Sequence, residues 1–235
     1  MADVRPRMEK IPVTRILAAR PIARLALVAG LALALSGAAI ALAPRAHHHD
    51  SVSAASRSDR TAFHDAMRIL WEDHIVWTRM AIIGIVDDRP DAPFAVERLL
   101  KNQDDIGDAI RPFYGDAAAD ALTSLLRDHI LGAADLLVAV KTGEGAAEAS
   151  EAWYANGAEI GAFLADANPR NWDRTEMQQM MREHLDLTLA EATARFQGDY
   201  AADVAAYDQI HRQILHMADM LSDGIVAQFP GRFGR

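Results

Sequence analysis

Three histidines recur at equal intervals in matching contexts. His74 lies in WEDHIVW, His129 in LLRDHIL and His184 in MMREHLD, each 55 residues from the next. The shared pattern is a large apolar pair, a variable position, an acid, the histidine and an aliphatic residue. A fixed period of this kind marks an internal repeat. The third copy carries more chemistry, because D-x-x-H spacing places Asp208 and His211 on one face of the last helical segment. His184, His211 and Asp208, with Glu183 beside them, form a ligand set favoured by Zn, Mn, Fe or Cu ions, so the sequence predicts one transition-metal ion there.

These residues need elements to hold them. From residue 61 onward apolar residues recur every three or four positions. Breaks fall at RPD (89–91), PFYG (112–115), TGEG (142–145), ANPRN (167–171) and GD (198–199). Five breaks leave six helices, at about 61–88, 92–111, 116–141, 146–166, 173–197 and 200–228. They pair into three related antiparallel hairpins, 61–111, 116–166 and 173–228, followed by a tail at 229–235. Asp91 and Asp173 are placed to cap helices, the second in a D-x-x-E pattern.

Relative to each histidine, positions −7, −4 and −3 are all large and apolar: Met67, Leu70, Trp71; Leu122, Leu125, Leu126; Met177, Met180, Met181. Those offsets share the histidine's helix face, so each ring is expected to point into the bundle. Residues equally distant from a turn lie level in a hairpin. Counting therefore sets His74 opposite Asn102 to Asp105, His129 opposite Asn156 to Glu159, and His184 opposite His211. A buried ring left without a hydrogen-bond partner costs roughly 1–3 kcal/mol, which the facing amides and acids would offset. His74, Asn102, Asp105, His129, Asn156 and Glu159 thus form a second polar layer.

Two other arrangements stay open. If the hairpins close around a pseudo-threefold axis, His74, His129 and His184 converge at its centre, with Asp105 and Glu159 behind them; an open row would keep them apart. Alternatively Met177, Met180, Met181, His216, Met217 and Met220 could take Cu(I), although helical methionines at this spacing usually fill cores. Di-iron chemistry of the ferritin type requires two Glu-x-x-His motifs, which are missing. No G-x-S-x-G, P-loop, G-x-G-x-x-G or H-E-x-x-H motif occurs. Against metal binding stands a non-catalytic module in which every histidine is structural and a small organic molecule or a partner protein is bound.

With 51% hydrophobic, 24% charged and only 6% aromatic residues in 235, the chain is an ordinary globular one, rich in helix formers. Residues 1–45 hold seven Arg and Lys against two acids, +5, so the remainder carries −14 of the −9 total. Such an acidic body repels phosphate backbones, which excludes nucleic acid as a partner and suits cations. Residues 25–43 are nineteen uncharged, mostly apolar positions behind a basic stretch. This predicts a single-pass signal anchor, the membrane as partner, and an extracytoplasmic body joined by a flexible linker at 44–60. With no cysteine, thiolate and disulfide chemistry are excluded.

WEDHIVWTR, NQDDIGDAI, PFYGDAA, LLRDHIL, MMREHLDLT and YDQIHRQILHMADMLSDGI together resemble a family of small bacterial helical proteins, membrane-tethered or secreted. The resemblance covers most of 71–225 and implies an all-helical fold. A glycosyltransferase label has been attached to that family. The motifs give the label no support, since a nucleotide-sugar enzyme needs a sheet-based fold or a D-x-D metal loop. No catalytic residue carries over.

Overall fold

The computed structural model describes residues 48–234, and among these every regular element is helical. The elements are α1 (His48–Val86), α2 (Ala92–Thr142), α3 (Ala146–Ala167), α4 (Arg174–Gln197) and α5 (Tyr200–Gln228), with a 3-10 turn at Pro230–Arg232. The expected membrane segment at 25–43 lies outside the described residues, among which no helix is long and apolar enough to cross a bilayer.

Five helices appear where six were expected, because the break at PFYG is contained within α2. Gly115 there takes φ 80° and ψ 176°, a conformation open essentially only to glycine. One such residue suffices to fold the helix back. Gly107 of the outgoing arm lies so close to Ala119 and Thr123 of the returning arm that a methyl group would collide. Further along, Arg127 reaches the Leu100 carbonyl and Asp104 at 3.3 and 3.0 Å. The two arms of α2 are therefore antiparallel neighbours.

Two further expectations need correction. Residues 48–60, expected as part of the linker, belong to α1; they contain no Pro or Gly that would stop a helix. Asp91 does not cap α2, since both its carboxylate oxygens are engaged by Arg89 at 3.1 and 3.2 Å. The tail is docked, with Phe233 only 4% exposed and stacked on Phe113 at 5.6 Å. Asp173 does cap α4, accepting from the backbone N–H of Thr175 and Glu176.

Each chain reversal has its own device. Asp88 stands at φ 54°, Gly143 and Gly145 close α2 into α3, and Gly198 ends α4. The helices then form a closed ring: α1 packs on α2 and α5, α3 on α2 and α4, and α4 on α5. Polar pairs line the closing α1–α5 seam, including Arg68 with Asp219 and Arg79 with Asp203. Closure of the ring brings the inner faces of all three hairpins to one interior, which is where the repeated histidines must go.

Candidate functional site

His74 on α1, His129 on the returning arm of α2 and His184 on α4 are each buried, at 2–3% exposure. Their rings meet. The His74 and His184 ring centres are 5.6 Å apart, and those of His129 and His184 are 6.4 Å apart. Of the two arrangements open from sequence, the closed one is observed.

An amide side chain meets the Nδ1 of each ring, through its oxygen in the second and third hairpins and through its nitrogen in the first. Asn156 of α3 lies with Oδ1 3.0 Å from His129 Nδ1 and donates from Nδ2 to the carbonyl of Leu125, four residues before that histidine. Gln213 of α5 repeats this, with Oε1 3.2 Å from His184 Nδ1 and Nε2 donating to the Met180 carbonyl. In the first hairpin the task is divided. Asn102 donates to the Leu70 carbonyl, while Gln103 Nε2 donates to His74 Nδ1 at 3.3 Å, so the proton of the neutral His74 ring lies on Nε2. Opposite amide oxygens, the Nδ1 atoms of His129 and His184 carry the proton and the Nε2 atoms keep a lone pair. Among the described residues, no hydrogen bond reaches the Nε2 of any of the three.

All three rings line one cavity of about 40 Å³, together with Thr78 and Thr188, each four residues after its histidine. The rest of the wall is aliphatic apart from Trp153, whose ring stacks on His129 at 5.4 Å and whose Nε1 donates to the His129 carbonyl. Both threonine hydroxyls donate to the carbonyls of His74 and His184. Space of this size holds a few waters or an ion, not a drug-sized organic molecule.

Burial keeps the rings neutral. It pulls His129 down to about 3 and His184 to about 4, and it holds His74 well below the usual range, with the neighbouring histidines adding to the effect for His74 and His129. Imidazoles must be neutral to bind a metal. Rings bound to one tetrahedral ion at about 2.0–2.1 Å have centres roughly 5 Å apart, so the His74–His184 and His129–His184 pairs are open by up to ~1 Å. As they stand, no three His, Cys, Asp or Glu side chains among the described residues are in position to hold an ion.

The site expected in the third hairpin is not assembled. His211 turns outward, with Nε2 2.9 Å from Glu72 Oε1 and its ring stacked on Tyr207. Asp208 and Glu183 are exposed. In the second layer Asn102 and Asn156 act as clamps, whereas Asp105 pairs with Lys101 at 2.6 Å and Glu159 is exposed. Met177, Met180, Met181 and Met217 fill the main core, and His216 is exposed, so the thioether site is not assembled either.

Gln103 falls within the range 102–105 expected opposite His74 without being singled out, and Gln213 and the two threonines are not among the expected site residues. A signal existed: the two glutamines are two repeat lengths apart, 29 residues after His74 and His184 respectively. No protein-family model matches the chain, and no curated protein or solved structure matches it.

Beyond the cavity, one turn past Thr188, lies a buried ionic cluster. Arg79 Nη1 donates to both Glu191 and Asp203, which are 2% exposed, while Arg195 bridges Asp203 and Asp87. Burial pushes the Glu191 carboxyl up to about 7 against the opposing pull of Arg79. This cluster ties α1, α4 and α5 together beside the histidines.

Proposed function

We propose that this chain binds a single transition-metal ion through the Nε2 atoms of His74, His129 and His184. One observation carries the reading: three neutral imidazoles, one from each hairpin, line a common cavity, with the Nδ1–H of His129 and His184 held by amide oxygens so that their Nε2 lone pairs are unengaged; His74 completes the set when its proton passes from Nε2 to Nδ1 and Gln103 turns its unpartnered amide oxygen toward it. Orientation of one ring nitrogen by a fixed partner is how proteins prepare the other for a metal. Binding requires His74 and His129 each to close on His184 by up to ~1 Å, within the reach of small helix shifts. The rival module with purely structural histidines explains the clamps but gives no account of three buried rings lining one space with no hydrogen bond, among the described residues, to any Nε2. A small organic ligand is disfavoured by the cavity's size.

The basic flank and apolar run ending at residue 43 support placing this body outside the cytoplasm on a membrane tether. The reading is one of binding and assigns no reaction. Metal analysis of the purified full chain tests it: close to one equivalent of ion is expected, lost in His129→Asn and His184→Asn but kept in His211→Ala. Equal metal content in all four proteins, or none in any, overturns it.

A further inference from the structure

Resting on that reading, the surroundings of the site say which ion and which external ligand it suits. The cavity wall carries no carboxylate. The acids adjacent to the histidines in sequence point elsewhere: Asp73 pairs with Arg98, and Asp128 and Glu183 are exposed. Glu191 and Asp203, the nearest buried acids along the bundle, are committed to Arg79. The hydroxyls of Thr78 and Thr188 have spent their protons on backbone carbonyls, so they offer no donor that could hold an anion in the cavity.

An ion bound here would therefore keep its whole charge in an apolar interior. The cost of moving an ion out of water rises with the square of its charge, so a divalent ion pays about fourfold more than a monovalent one. Zn(II) relieves such a charge with thiolate, carboxylate or hydroxide, none of which the wall provides or stabilises. Cu(I) is monovalent, accepts imidazole, and is satisfied by three ligands. Space remains beside it. In the second hairpin the position of Thr78 and Thr188 is taken by the smaller Ala133, which lines the cavity.

We propose that the three imidazoles take Cu(I) in preference to divalent ions, and that the ion's fourth position accepts a small neutral diatomic molecule from the apolar cavity. Carbon monoxide is the probe, since it binds Cu(I) through carbon without electron transfer.

Anaerobic competition of the full chain against a chromophoric Cu(I) chelator, and separately against a Zn(II) dye, reads the first half. One equivalent of Cu(I) bound at least ~100-fold tighter than Zn(II) is expected. Infrared spectra under carbon monoxide read the second half, with a single C–O stretch expected. Ala133→Leu fills the cavity and should abolish that band while keeping Cu(I) and the helical circular dichroism. Zn(II) affinity equal to or above that of Cu(I) overturns the choice of ion and leaves the metal site standing. Absence of any bound ion defeats the site itself. Cu(I) retained in His184→Asn overturns the assignment of ligands, and Cu(I) without a C–O band overturns the open position.

Discussion

Acid should unfold the metal-free bundle by way of its histidine layer. In the unfolded chain each of the three imidazoles titrates near 6.5. In the fold His129 and His184 titrate at about 3 and 4, and His74 shifts in the same direction. Folded values below unfolded ones mean that this contribution is whole above pH 6.5 and is lost as the pH falls. Between pH 6.5 and 5 His129 and His184 each forfeit about 1.4 kcal/mol per pH unit, hence about 2 kcal/mol apiece or roughly 4 for the pair, and His74 adds to the loss in the same direction. Glu191 acts with the opposite sign. Its folded value, about 7, lies above the unfolded one, so its contribution is whole below pH 4.5 and is lost as the pH rises through 7. Acidifying from pH 7 to 5 thus returns roughly 2–3 kcal/mol and masks at least half of the loss from that pair. Glu191→Gln removes the mask. Urea unfolding in chelator, followed by circular dichroism at pH 7, 6 and 5, should show the variant losing about 4 kcal/mol or more and the parent about 2 kcal/mol less than the variant. If the variant loses less than about 2 kcal/mol, the histidines take up protons inside the fold, and burial does not govern them.

Two further outcomes follow from the packing. Gly115→Ala places a side chain where φ is 80° and ψ 176°, and should cost about 1–3 kcal/mol in thermal unfolding; a change under ~0.5 kcal/mol would show that the fold-back of α2 does not need this geometry. Arg79→Met leaves Glu191 and Asp203 short of their shared cation and should cost about 3–5 kcal/mol at pH 7.5, less at pH 5 where Glu191 holds a proton; an equal cost at both values would contradict the raised Glu191 titration.

The 55-residue spacing and the apolar offsets made the histidine layer legible before any coordinates, and counting from the turns set Asn156 opposite His129 and placed the partner of His74 within 102–105. The same counting failed in the third hairpin by two residues, choosing His211 where Gln213 stands. Two residues turn a helix by about 200°, so a small error in level became a choice of the wrong face. The buried stripe Ile210, Ile214, Met217 and Leu221 marks the inner side, which Gln213 borders and His211 does not. Periodicity also read PFYG as a gap between helices. A reversal completed by one glycine conformation leaves the hydrophobic pattern as a longer loop would.

Apolar faces built from Leu, Met and Ala discriminate poorly between correct and slipped alignments. A hairpin displaced by one turn, about 5.4 Å, would keep much of its greasy contact. It would not keep its clamp. The amide must meet one carbonyl and one ring nitrogen at once, and a slip strands all of them at roughly 1–3 kcal/mol for each unsatisfied group. Collapse can therefore precede correct alignment during folding, with the three clamps acting as a proofreading step that rejects shifted bundles.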